Sequence, residues 1–169
     1  LSAKNGEIIA YEALMRSQLA TLKNPEMILR IAREENKLED VERICIFKST
    51  ETFDQLRKNK LVKEDALLFI NSIASVSLND EDRERFHRYF SHIQSQIVVE
   101  VTEEENMSEE ALIRKRETKG FSGMFALDDY GSGYNTEINL LNLSPKYIKI
   151  DLTIVRNIDK DFDKQQLVS

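Results

Sequence analysis

Glu12, Asn71, Glu100, Asp128, Asp129 and Lys149 each stand at or just beyond the end of a short apolar run. The runs are Glu7 to Tyr11, Ala66 to Ile70, Ile97 to Val99, Met124 to Leu127 and Tyr147 to Ile150. Carboxylates and an amide delivered in this way have the chemistry of an oxygen-rich cation site. Unit charges about 4 Å apart repel by about 4 kcal/mol at an effective dielectric of about 20. Glu12, Glu100, Asp128 and Asp129 therefore cannot crowd together ionised without help, and cations are the cheapest remedy. An all-oxygen set with one amide favours Mg²⁺ or Mn²⁺ over zinc, and His87 and His92 lie outside the set. Two such ions about 4 Å apart would hold the attacking water and the leaving oxygen of a phosphodiester in line.

Residues that must meet at one place need a scaffold that delivers them there. Short apolar runs of this kind read as buried parallel strands. From Asn71 to Glu100 the chain advances 29 residues and from there to Asp128 another 28, about one strand, one helix and two loops. A helical pattern fills the first interval. Phe86, Tyr89, Phe90, Ile93 and Ile97 recur at three- and four-residue steps behind Asn79-Asp80, a cap with acids in the first turn. Upstream, Asn24-Pro25 opens another helix whose inward stripe is predicted to be Met27, Ile28, Ile31 and Ala32. Side chains alternate along a strand. That alternation puts Ala10 with Glu12, Phe69 with Asn71, Ala126 with Asp128, and Tyr147 and Lys149 with Asp151. Strand-helix alternation with polar groups at successive strand ends predicts an α/β fold, a (β/α) barrel whose mouth holds the site.

Composition sets limits. A chain of 169 residues with 41% hydrophobic content has one core and reads as a single domain. Its one cysteine, Cys45, excludes an internal disulfide framework and fits a reducing cytosol. No apolar run approaches membrane-spanning length. A net charge of -6 argues against a basic surface for duplex nucleic acid. It leaves room for a small phosphorylated ligand, because bound cations reverse the local sign.

The same residues carry a family resemblance. Glu12-Ala13-Leu14, followed by Arg16, resembles the signature of the EAL domains, bacterial phosphodiesterases that cleave cyclic di-GMP to a linear dinucleotide. Leu68-Phe69-Ile70-Asn71 resembles the family's strand ending in a metal-binding asparagine, and Val99-Glu100-Val101-Thr102-Glu103 its E-[IV]-T-E segment. Asp128-Asp129-Tyr130-Gly131-Ser132-Gly133-Tyr134 is similar to its D-D-F-G-T-G-Y loop. Tyr147-Ile148-Lys149-Ile150-Asp151 looks like the strand with the catalytic lysine. All five segments follow the family's order.

The resemblance implies a TIM-like (β/α)8 barrel of the EAL type and hydrolysis of cyclic di-GMP to linear pGpG with two Mg²⁺ or Mn²⁺ ions. It implies that Glu12, Asn71, Glu100 and Asp128 hold one metal, with Asp128 and Asp129 reaching toward a second. Lys149 and Asp129 are then the catalytic residues, with Lys149 orienting water and offsetting phosphate charge. Arg16 and Leu14 are implied to bind substrate. Glu103 is implied to brace the loop in which Gly131 and Gly133 allow rearrangement. A bacterial cytoplasmic setting, a homodimer, and flanking sensory or GGDEF-type domains also follow from the resemblance. The family's barrel has one strand before that of Glu12 and two after that of Lys149, bearing a further glutamate and a late glutamine. Residues 1–169 therefore read as one partial EAL domain, its first and last two strands missing, and a chain lacking that glutamate is expected to be slow or inert alone. The alternative is a domain that binds cyclic di-GMP, or only another protein, without hydrolysis.

Other groups read as ordinary structure. His87 and His92 sit on different faces of a predicted helix, and Cys45 beside Ile44 is a small core residue. Arg114-Lys115-Arg116 after Glu103 to Glu105 is a solvated helix face, and Ser108-Glu109-Glu110 a helix start. Asp159, Asp161 and Asp163 have the spacing of a calcium loop, but Lys164 takes the place of its glycine.

Overall fold

The computed structural model describes residues 1–2, 4–19, 22, 24–102, 124–131, 140–141 and 144–168. Five parallel strands, β1 (Ala10–Ala13), β2 (Leu67–Asn71), β3 (Ile97–Thr102), β4 (Phe125–Tyr130) and β5 (Tyr147–Ile150), form one sheet in the order of the sequence. Helices α1 (Pro25–Glu34) and α2 (Leu38–Lys58) fill the first crossover and α3 (Asp80–Phe90) the second. The short helices α4 (Leu152–Val155) and α5 (Phe162–Leu167) follow β5.

The sheet is an arc. In a flat sheet β2 and β5 would lie about 14 Å apart, since strands are spaced by about 4.8 Å. The rings of Phe69 and Tyr147 nevertheless meet edge to face, with centroids 5.2 Å apart. Lys149 on β5 likewise comes within 3.5 Å of Glu12 on β1. Curling brings the inner-face side chains together, as in part of a (β/α) barrel.

The outer face carries the core. Leu68 and Ile70 on β2 and Ile97 on β3 pack with Ile46, Phe53, Phe86 and Phe90 of the helices. Val99, Val101, Phe125 and Leu127 continue this layer along β3 and β4. On β5, Ile148 and Ile150 take the same outward parity but stay 47% and 40% exposed. Asn79 caps α3 by accepting from Asp82 N at 2.8 Å, and Phe86, Phe90, Ile93 and Ile97 are buried as their spacing predicted. Tyr89 is the exception at 59% exposed.

Three features differ from the sequence reading. Strand β1 begins at Ala10 instead of Glu7, with Ile8 and Ile9 exposed. Helix α1 opens at Asn24-Pro25 as expected, yet Met27 and Ile31 face solvent at 38% and 40% exposure. Its inward positions are Ile28, Leu29 and Ala32, since α1 lies along α2 and that contact selects a different stripe. His92 falls past the end of α3, in the turn before β3, where Nε2 lies 2.9 Å from Asp54 Oδ1 of α2.

Phe86 is fully buried, with Phe90 and Phe47 at centroid distances of 5.0 and 5.6 Å. Phe86→Ala is expected to lower unfolding stability by about 3–5 kcal/mol in urea denaturation. A loss near zero would place the ring outside the core.

Candidate metal and active site

Strand ends and register build the site. β2 and β3 pair Asn71 with Glu100, so the amide and the carboxylate leave neighbouring strands at one level. Glu12 stands one residue from the end of β1, opposite Phe69. Asn71 Nδ2 donates to Glu12 Oε1 at 3.2 Å. Asp128 lies on the same face, where β4 departs from regular register between Leu127 and Tyr130. The irregularity puts Asp129 at φ 55° and lets its backbone N–H donate to Asp128 Oδ1 at 3.0 Å, which fixes that carboxylate.

Lys149 ties the group together. Its Nζ is 2.7 Å from Glu100 Oε1, 2.9 Å from Asp128 Oδ2 and 3.5 Å from Glu12 Oε2. Carboxylates from three strands thus converge on one cation. Glu100 is the most buried of them, and both its oxygens lack an aligned hydrogen-bond donor despite the ammonium beside it. Burial pushes the Glu100 carboxyl up to about 7, helped by Asp128 and Glu12 and opposed by Lys149. Burial works to lower the Lys149 ammonium, but Glu100 and Asp128 outweigh it and hold it above the ordinary lysine range.

The donor set fits a hard divalent ion. Three carboxylates and an amide oxygen are what Mg²⁺ or Mn²⁺ takes, and the Glu100 oxygens are buried acceptors of which one lies beside the Lys149 ammonium. Among the described residues, no three His, Cys, Asp or Glu side chains close to metal-holding geometry by themselves. The Lys149 ammonium lies between these carboxylates, at contacts longer than the roughly 2.1 Å of a magnesium ligand.

Other predicted residues lie elsewhere. Arg16 is exposed and donates to the Met15 carbonyl at 2.8 Å, and Leu14 is 55% exposed. Asp151 does not share the inner face with Lys149. It leaves the strand to cap α4, accepting from the Thr153 hydroxyl and from Thr153 N at 2.7 Å, and the hydroxyl first, with the backbone bond, keeps its carboxyl below the usual range. Gly131 has φ 99°, a conformation that favours glycine, and a Cβ there would also displace the end of the Ile154 side chain. Glu103 and Gly133 fall outside the described residues, as do Arg114 to Arg116 and Ser108 to Glu110. Cys45 is half-buried, and Asp161 caps α5 through Lys164 N at 3.2 Å.

Sequence reasoning missed Glu42, buried on α2. Its carboxylate bonds the Ser72 hydroxyl and accepts from Ile73 N at 2.8 Å, just beyond Asn71. The signal was available, because Glu42 stands four residues before Ile46 on the helix's buried face.

Comparison with known proteins places this geometry. The sequence matches the family model for the EAL domain over residues 1–169. The chain belongs to the EAL domain family. Among solved structures, the PaMucR phosphodiesterase in complex with c-di-GMP is similar at TM-score 0.74 and 22% identity, over 97% of this chain and 68% of that one. An EAL domain protein from Listeria monocytogenes EGD-e is similar at TM-score 0.75 and 20% identity, over 98% and 66%. BlrP1 from Klebsiella pneumoniae, in a manganese and cyclic di-GMP complex, is similar at TM-score 0.66 and 24% identity, over 95% and 40%. The chain thus spans two thirds or less of the length of most of these EAL structures, and its five-stranded arc is an incomplete EAL barrel. No curated protein matches the chain. Among the described residues, no helix is long and apolar enough to cross a membrane.

Two outcomes follow. The Glu100 carboxyl lies above its unfolded value of 4.5, so its contribution is full below pH 4.5 and is lost as pH rises through about 7. Thermal unfolding in EDTA is expected to show stability falling across that window, and Glu100→Gln should flatten the fall. Parallel pH profiles for the two proteins would contradict the assignment. Gly131→Ala should lower the melting temperature by several degrees, corresponding to roughly 1–3 kcal/mol, and an unchanged melt would show that β4 and α4 yield freely.

Proposed function

We propose that the complete domain hydrolyses cyclic di-GMP to linear pGpG, with Mg²⁺ or Mn²⁺ as cofactor. The observation that carries the reading is the gathering of Glu12, Glu100 and Asp128 around one cation, with Asn71 beside them. Membership of the EAL family supports it, as do the cyclic di-GMP and manganese complexes of similar structures.

Glu12, Asn71, Glu100 and Asp128 would hold one ion, and Asp128 with Asp129 would reach toward a second. Bound divalent ions supply Lewis-acid charge for the phosphodiester and lower the pKa of water. Lys149 keeps its proton throughout. Its ammonium orients the attacking water and offsets charge on the phosphate, a role that suits a cation held by carboxylates at the strand ends. Water adds across one P–O bond of the ring: its oxygen joins phosphorus, the ribose oxygen departs, and that oxygen takes up a proton. Arg16 offers a planar fork to a phosphate oxygen, and Leu14 beside it borders the substrate. Glu103 supports the loop after β4, with Gly131 and Gly133 within it. A bacterial cytoplasmic setting, a homodimer and flanking sensory or GGDEF-type domains complete the proposal.

A silent receptor for cyclic di-GMP is the second reading, favoured by one observation. Lys149 compensates part of the carboxylate charge without a metal, so the cluster can persist as a binding surface. The deciding experiment uses a protein carrying the whole barrel and follows cyclic di-GMP with and without Mn²⁺. Mn²⁺-dependent linear product is expected, with Lys149→Ala slower by about 10²–10⁴ and Glu12→Ala impaired in Mn²⁺ uptake. Tight nucleotide binding with no turnover at any metal concentration would select the receptor.

A further inference from the structure

We propose that Glu42 is a positioning residue for Asn71, acting from the helix layer through the two residues that follow the strand. The inference rests on reading the strand-end cluster as the metal site. Along β2 the side chains alternate, so Asn71 turns inward with Phe69 while Ser72 turns toward α2. There Glu42, 2% exposed, bonds the Ser72 hydroxyl through Oε1 and accepts from Ile73 N through Oε2 at 2.8 Å. On its other side Ser72 N donates to the Glu100 carbonyl at 3.0 Å, which extends the β2–β3 ladder past Asn71.

Asn71 is therefore followed by a segment fixed on two sides. Its own side chain is exposed and is held to Glu12 by a bond of 3.2 Å, too weak a restraint to set its orientation by itself. A carboxylate buried to this degree is costly unless its oxygens are bonded, and here both oxygens are spent on the strand exit. The bonds determine the backbone direction at residues 72 and 73, and with it the angle at which the Asn71 amide enters the cluster. Outer-layer partners of metal ligands act in this way.

The test compares Glu42→Leu, which removes both acceptors at similar volume, with Glu42→Gln, which retains one. Mn²⁺ affinity is measured by calorimetry, the Asn71 side-chain NH₂ resonances by NMR, and the fold by thermal unfolding. Glu42→Leu should weaken Mn²⁺ binding about 10- to 100-fold and shift the Asn71 resonances, and Glu42→Gln should recover most of both. A folded Glu42→Leu protein with wild-type Mn²⁺ affinity and unmoved resonances overturns the proposal. Should that variant not fold, Ser72→Ala takes its place: displaced Asn71 resonances support positioning and unmoved ones overturn it. A wild-type chain that takes up no Mn²⁺ counts against the metal reading, and the NMR comparison then decides the role of Glu42 alone.

Discussion

Like charges at the ends of separate strands cannot share a small space without a cation among them, and the inner face of this sheet is organised around that constraint. Glu12, Glu100 and Asp128 come from β1, β3 and β4, and Lys149 of β5 reaches all three. The contact requires the sheet to curl, since β1 and β5 would be about 19 Å apart in a flat one. Phe69, level with Glu12, and Tyr147, paired with the small Ala126, meet across the arc beside the charges. Charge pairing and aromatic packing thus favour the same curvature.

The helix layer uses buried polar groups as fixed points. Besides Glu42, α2 buries Thr50, whose hydroxyl donates to the Ile46 carbonyl at 2.8 Å, and Asp54. Asp54 lies 2.6 Å from Lys58 Nζ and 2.9 Å from His92 Nε2, which joins α2 to the turn before β3. Burial raises the Asp54 carboxyl, but Lys58 and His92 outweigh it and hold it below the usual range. Satisfied polar groups of this kind add little net stability, yet Glu42 and Asp54, whose partners include groups outside α2, reject helix placements that would leave them unpaired. Glu42 and Asp54 stand near opposite ends of α2, one engaging the strand exit of β2 and the other the entry to β3.

The strands and their inward acids were legible because a parallel strand covered by helices is an apolar run, and a polar residue at its end has few reasons to be there. The order of the five runs, the arc and the meeting of Glu12, Asn71, Glu100, Asp128 and Lys149 all follow from that pattern. What escaped depends on contacts between elements. Ile8 and Ile9 extend an apolar run without entering the strand, and the buried stripe of α1 depends on its seat against α2. Asp151 continues the inward parity on paper, yet a helix start captures its side chain one residue past the strand. The helical spacing could have marked Glu42 as inward, but its partners, Ser72 and Ile73, lie about thirty residues away and become neighbours only after folding.

Lys149 gives the cluster a property that a ring of acids alone would lack. One ammonium draws the carboxylates of three strands toward one point, which preorganises them as ligands. It cannot neutralise all three, and the buried Glu100 responds by keeping its proton up to about pH 7. Glu12 and Asp128, with one ammonium between them, therefore keep the rim attractive to a divalent cation. In the proposed function, bound cations would reverse the local sign and favour a phosphodiester there. In that reading Lys149 would share its carboxylate partners with the ions, and its charge would become available to water and phosphate at the mouth of the barrel.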